Sequence, residues 1–377
     1  MKISIIANGF QEDYTLNLIN ALAKQSVDVD FIGSNVYDPA LIDKRIVFHM
    51  VRKEDRSGRN PLKKGFWVLQ YFVWLLGYLF RERKIVIHIQ WLRFNFIDGV
   101  FFPLMARLLG HTVVYTAHDV VPHSVDKRRI RLLFRLIYKS QNKIVAHTKY
   151  IMERIHTEFG IDQSKISVVK HGVYVVPDGR RKDFAISKKA LGIGEDEFVL
   201  LFFGIITEYK GLDLLAHSLK ILKRDMGQKV RLLVAGRVQA GYEVEMARLK
   251  EDELGEEVIY LLRFIETEEV SMLFGAADIA VLPYREASQS GVMFMSYAHG
   301  VPVILPDLGG FPDDVISGAT GFLFEPGDPE SLCNKIEKSI SHFGKNNRTV
   351  REEIIHLTSK KYQWEGSADS LIKIYKN

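Results

Sequence analysis

Short apolar runs separated by helix-length segments recur along the whole 377-residue chain, and that alternation restricts the fold more than any other feature. Residues 2–7, 28–33, 85–90, 112–118 and 143–147 read as strands. Helix-length pieces lie at 14–24, 96–109, 128–140 and 149–159. After the polar stretch 177–183 the same order restarts. Strands are then expected at 198–204, 230–236, 258–264, 279–283, 301–306 and 321–324, and helices at 211–224, 242–254, 267–276, 291–299 and 329–342. Strands alternating with helices predict parallel, doubly wound sheets. The length suits two domains. The expected architecture is therefore α/β: two Rossmann-like domains, 1–175 and 176–361, facing each other across a cleft where a ligand binds. Residues 362–377 form a last helix, for which a return onto the first half is one placement.

Charge divides the chain in the same way. Residues 51–150 hold 19 Lys/Arg against 6 Asp/Glu, while the chain as a whole is only +5. A basic first half joined to a mildly acidic second half predicts an anionic partner for the first. The single cysteine, Cys333, excludes a disulfide framework and a cysteine-rich metal site, and fits a reducing, cytoplasmic setting. The start of the chain is too short in apolar residues for a secretory core. Residues 66–80 are apolar and aromatic between basic flanks; as a helix they span roughly 22 Å, short of a bilayer's hydrocarbon core. They fit a core helix or one lying in a membrane interface. Along 127–139, Ile130, Leu133, Phe134 and Ile137 form an apolar stripe, and Arg128, Arg131, Arg135 and Lys139 a basic one. The expectation is an anionic membrane surface, met by Trp67, Trp74, Arg128, Arg131 and Arg135, with the protein peripheral at the inner face of the plasma membrane. No nucleic-acid-binding motif is present, and nucleic acid is not expected as a partner.

The residues that carry chemistry sit at predicted strand ends. The loop Glu286-Ala-Ser-Gln-Ser-Gly291 opens a helix whose first amides lack partners inside it, and its small residues let an anion approach. The same loop also fits an ordinary helix capped by Ser290. Lys210-Gly211 follows another strand and places an ammonium where a phosphate would lie. His118, with Asp119 and His123 nearby, ends a strand of the first half, positioned for a sugar hydroxyl or proton transfer. Lys170-His171-Gly172 reads as a junction. Asp28-Val-Asp30 has the spacing of a nucleotide-sugar Asp-x-Asp motif but lies within a strand and reads as a strand end, and no metal site or cofactor is expected. One glycine, Gly9, follows the first strand, without the fingerprint of a dinucleotide-binding dehydrogenase.

With these residues in view, the chain resembles the GT-B glycosyltransferases, and its second half family 4, in a bacterial branch. The resemblance runs through Phe203-Gly204 and Tyr209-Lys-Gly-Leu212, Val234-Ala-Gly-Arg237, Leu282-Pro-Tyr284, Glu286-Ala-Ser-Gln-Ser-Gly-Val292, Tyr297-Ala-His-Gly-Val-Pro302 and Leu308-Gly-Gly-Phe-Pro-Asp313. Upstream, Tyr115-Thr-Ala-His-Asp119 joins it. It implies transfer of a sugar from a UDP- or GDP-sugar to a lipid-linked or polysaccharide acceptor, with retention and no metal, in cell-surface glycan biosynthesis. His118, Glu286 and Lys210 would be the catalytic residues. Gly9, Lys210, Arg237, Phe264, Ile265, Ser290, Gly291 and Val292 would form the donor site. Three departures stand out: Ile205 replaces the family's clamp Arg, Ala287 takes the first Glu position beside Glu286, and Met295 takes the second. Arg237 or Arg285 is the expected substitute clamp. Competing readings are a nucleotide-sugar epimerase on the same fold and a non-catalytic partner that binds nucleotide-sugar or polyprenyl phosphate.

Overall fold

Apolar runs that cannot meet water on either side dictate the two sheets. A computed structural model describes the backbone of all residues except 8, 10, 54–60, 122–127, 177–180, 226–228, 253–257 and 345–346, so His123 lies outside the described residues. The chain forms two compact units: Met1–Gly172 with Tyr362–Asn377, and Val173–Lys361.

Unit 1 begins β1 (Lys2–Ile6), α1 (Glu12–Ala23), β2 (Asp28–Ser34), β3 (Val47–Arg52) and α2 (Pro61–Arg81). It continues β4 (Val86–Ile89), α3 (Phe102–Leu108), β5 (Thr112–Ala117), α4 (Arg128–Ser140), β6 (Lys143–Ala146), α5 (Lys149–Phe159) and β7 (Ile166–Val168). The seven strands are ordered β3-β2-β1-β4-β5-β6-β7, and every pairing is parallel. β1, β4, β5 and β6 are nearly continuous apolar runs because helices cover both faces. The edge strand β3, with Val47 and Met50 exposed, escaped the sequence reading because His49 and Arg52 break its apolar run. Asp30 is drawn into a buried network: Tyr78 donates to its Oδ2 at 2.7 Å, and Lys2 lies at 3.1 Å.

Unit 2 runs α6 (Phe184–Ala190), β8 (Phe198–Phe203), α7 (Leu212–Asp225), β9 (Val230–Ala235), α8 (Glu243–Asp252) and β10 (Val258–Leu261). Then come α9 (Thr267–Ala276), β11 (Ile279–Val281), α10 (Gly291–Ala298), β12 (Val303–Pro306), α11 (Phe311–Asp314), β13 (Gly321–Phe324), α12 (Pro329–Phe343) and α13 (Asn347–Lys361). Its six parallel strands are ordered β10-β9-β8-β11-β12-β13. The order reverses beside β8, the position where open sheets of this kind bind ligands.

The last helix, α14 (Trp364–Lys376), belongs to unit 1. Tyr375 Oη lies 2.6 Å from His88 Nδ1, and Ser367 donates to the Lys170 carbonyl at 2.7 Å. Trp364 covers Gly172 so closely that a Cβ there would stand 2.3 Å from the indole, which gives that glycine a packing reason.

Candidate functional site

In unit 2 the ends of β8, β9 and β11 bring three loops to one place. Gly211 (φ 71°) and Gly236 (φ 144°) make this possible. A Cβ at Gly211 would stand 2.0 Å from the Pro283 carbonyl oxygen, and one at Gly236 would stand 1.8 Å from that of Gly204. Neither position tolerates a side chain. The turn carrying Lys210 is thereby pressed against the end of β11. Lys210 Nζ donates to Tyr284 Oη at 2.8 Å and lies 3.9 Å from its ring centroid. Tyr284 Oη is in turn 3.2 Å from Ser290 Oγ. Ammonium, phenol and serine hydroxyl thus form one chain, ending at the start of α10.

Ser290 caps that helix by accepting from the Met293 amide at 3.4 Å. The amides of Gly291 and Val292 have no partner among the described residues, so the helix start keeps donors for an anion. Val292 Cγ2 is 3.6 Å from where a Cβ on Gly204 would be, which places the end of β8 beside these amides. The Tyr174 hydroxyl reaches the same point, 3.1 Å from an added Cβ on Gly291. Gln289 Oε1 is buried without a hydrogen-bond partner among the described residues.

The start of α7 differs. Burial pushes the half-buried Asp213 carboxyl up, but hydrogen bonds from Arg285 and amides of its own turn outweigh it and hold the group below its ordinary range. Arg285 clasps Asp213 with both terminal nitrogens, one at 2.8 Å, and donates to the Glu208 carbonyl at 2.8 Å. Arg285 is therefore committed within the protein, and a carboxylate already occupies the start of α7. Of the two helix starts near Lys210, that of α10 keeps open amides and that of α7 does not.

Arg237 is placed differently. The bridge between Ile206 and Val238 continues the β8–β9 register, which sets Arg237 directly across from Ile205. Both side chains are exposed. Phe264, exposed, and Ile265, buried, follow β10. Glu286 is exposed on the loop, Ala287 beside it is buried, and Met295 is half-buried on α10.

In unit 1 the strand ends gather rings. His118 stacks on Trp91 with centroids 3.6 Å apart, and Tyr14 and His147 each lie 5.0 Å from it. His147 Nδ1 donates to the Val169 carbonyl at 2.8 Å, leaving Nε2 to accept from Tyr14 Oη at 3.2 Å. Burial, reinforced by neighbouring imidazoles, holds His118 well below the ordinary histidine value. Burial also lowers His147 to about 4 and His171 to about 3. His118 is therefore neutral, and both its ring nitrogens are buried without a partner among the described residues. One donor and one acceptor remain unspent at a strand end. Gly9 follows β1 at the start of this cluster's first loop. Sequence reasoning singled out His118 but missed the company it keeps, and it quoted Tyr284 without seeing that its hydroxyl connects Lys210 to Ser290.

Residues 197–342, which hold the Lys210–Tyr284–Ser290 chain, match the family model described as glycosyl transferases group 1. Residues 11–175 match that of glycosyltransferase family 4. The chain belongs to glycosyltransferase family 4. Among curated relatives of this family 4 member, an uncharacterised glycosyltransferase of Methanocaldococcus jannaschii is 24% identical over 270 residues, 67% of this chain and 65% of that one. A D-inositol 3-phosphate glycosyltransferase of Geodermatophilus obscurus is 28% identical over 62% of this chain and 52% of its own. The family 4 chain thus aligns with about half to two thirds of these relatives' length. The crystal structure of Anabaena Alr3699/HepE in complex with UDP and glucose matches it with a TM-score of 0.72 at 15% identity, covering 100% of this chain and 99% of that one. The two parallel-sheet units are those of the GT-B fold.

The residues expected at a membrane are divided by the structure. No described helix is long and apolar enough to cross a bilayer. Trp74 stacks on Tyr78 at 5.2 Å and packs beside His49, and Trp67 is half-buried, so neither leads the outer face of α2. That face carries Phe66, Leu69, Val73 and Phe80. Arg131 is paired with Glu158 at 2.7 Å, whereas Arg128 and Arg135 are exposed. Before and along α3, Ile97, Phe101, Leu104 and Leu108 form an exposed stripe that the sequence reading did not single out, Leu108 being 82% exposed.

Proposed function

We propose that the chain transfers a sugar from a nucleotide-sugar to a hydroxyl of a lipid-linked or polysaccharide acceptor, with retention and without a bound metal, in the making of bacterial cell-surface glycan. The observation that carries this reading is the chain from Lys210 through Tyr284 to Ser290, ending on the two open amides of α10. These groups present an ammonium and a helix start to one anion, and a leaving diphosphate is the anion that sugar transfer produces. A solved structure of the same fold contains UDP and glucose, which favours a uridine nucleotide. Arg237 supplies the cation that Ile205 lacks, Phe264 and Ile265 border the base, and Glu286 meets hydroxyls of the sugar. The neutral imidazole of His118 suits a sugar hydroxyl, to which it can donate or from which it can accept.

The exposed stripes on α2 and α3, with Arg128, Arg135 and Leu132 exposed on α4, support a peripheral seat on an anionic membrane surface. The decisive experiment is a thermal-shift series with UDP-, GDP- and TDP-sugars followed by a transfer assay. One nucleotide-sugar is expected to raise the melting temperature, and Lys210→Ala to abolish the shift and lower transfer by roughly 10²-fold or more. If no nucleotide-sugar stabilises the parent, the donor site is wrongly placed. Formation of an isomeric sugar without acceptor would instead establish an epimerase.

A further inference from the structure

Arg52, the last residue of β3, is only 3% exposed, yet no carboxylate among the described residues forms an ion pair with it. Its Nε is buried without a hydrogen-bond partner among those residues. What it does contact is the ring of Tyr71, 4.6 Å from the guanidinium carbon. Burial pushes the Tyr71 phenol up to about 12, so it stays uncharged and supplies no counter-ion. The buried Asp98, held at Oδ2 by the backbone amides of Arg93 and Phe94 at 2.7 and 2.8 Å, keeps its charge but is not within ion-pair distance of Arg52. A buried cation in this condition is costly unless an anion completes it.

Arg52 lines a shallow recess, open to solvent, between α2 and the strand ends. Lys53 and Arg93 join it in the wall, and Trp67, Val68, Tyr71 and Phe94 form the rest. Lys53 lies over the Trp67 ring at 5.8 Å, and Arg93 over that of Phe94 at 5.7 Å. Three cations converge there with no carboxylate among the described residues of the lining. A single carboxylate would leave two of them unmatched, whereas a phosphate monoester carries close to two negative charges and offers three oxygens to a guanidinium fork.

We infer that this recess is a phosphate-binding site. The ligand is a phosphate monoester, delivered either on a soluble polyol or sugar or on a lipid headgroup. The inference does not depend on the donor site, whose residues lie in unit 2. If unit 1 receives the acceptor, as proposed above, the site holds the acceptor's charged end.

The test uses the full chain, with affinity read from thermal shift and ³¹P line broadening. Glycerol 3-phosphate is titrated at constant ionic strength, and a parallel arm sediments phosphatidylcholine vesicles with and without phosphatidic acid. Arg93 and Lys53 are exposed, so K53Q/R93Q keeps the fold, and R83Q/K84Q removes the same charge elsewhere. K53Q/R93Q is expected to weaken phosphate binding about tenfold or more, and the control by less than about twofold. Binding in the soluble arm identifies a soluble ligand, and binding confined to phosphatidic acid vesicles a lipid, provided K53Q/R93Q loses it. The inference falls if neither source binds the parent. It also falls if binding survives K53Q/R93Q or drops equally in the control. A UDP-sugar shift in K53Q/R93Q, measured alongside, separates failure here from failure of the donor site.

Discussion

Tyr284 decides how the donor-side groups act together. Its hydroxyl meets both Lys210 and Ser290, and the side chain is 2% exposed, so Tyr284→Phe removes the link without opening a cavity. The expected outcome is a loss of about 1 kcal/mol of stability and a several-fold weaker nucleotide-sugar, read by urea unfolding and calorimetry. Unchanged affinity would show that Lys210 needs no such support. Two arginines near the same loops make opposite predictions. Arg237→Ala should weaken donor binding, and adding Ile205→Arg in that background should restore it, because the two positions face each other across β8 and β9. Arg285→Gln should cost stability by releasing Asp213 while leaving donor affinity within about twofold, since the pair is internal.

At the scale of elements, backbone approach matters more than side-chain identity. Gly211→Ala forces a Cβ into the Pro283 carbonyl at φ 71°, so a loss of more than about 3 kcal/mol is expected by chemical denaturation. The stripe along α3 makes a different prediction: Phe101→Ser with Leu108→Ser should reduce sedimentation with anionic vesicles, and leave stability nearly unchanged because both side chains already meet solvent. The elements around 282–304 were legible because apolar runs bounded by Pro, Gly and Ser leave little freedom of assignment. β3 was not, since an edge strand buries little and tolerates His49 and Arg52. α13 was missed because its residues alternate between exposed and buried without a clean apolar stripe. The site was legible where it is local: Ser290, Gly291 and Lys210 announce a helix start and a strand end. It was illegible where it is assembled, because Tyr14, Trp91, His118, His147, His171 and Trp364 meet only after strands and the last helix have packed.

For the whole molecule, buried imidazoles predict which unit acid attacks first. In unit 1, burial lowers His88 to about 3, His147 to about 4 and His171 to about 3, and drives His118 well below its ordinary value. In unit 2, burial lowers His299 to about 4. Each group is neutral when folded but takes a proton near pH 6.5 once the chain unfolds, so the unfolded state binds more protons as pH falls. The stability these residues contribute is complete above pH 6.5 and is lost as pH drops toward 4 and below. With four such groups against one, unit 1 should lose stability more steeply. All four tryptophans, Trp67, Trp74, Trp91 and Trp364, lie in unit 1, so indole fluorescence reports on it alone, while far-UV circular dichroism reports on both units. On acidification the fluorescence transition should come at higher pH than the completion of the dichroism change, and His147→Asn should move it to lower pH if the variant retains the bond to the Val169 carbonyl. Coincident transitions would mean that the two units unfold as one and that the ring cluster does not decide which goes first.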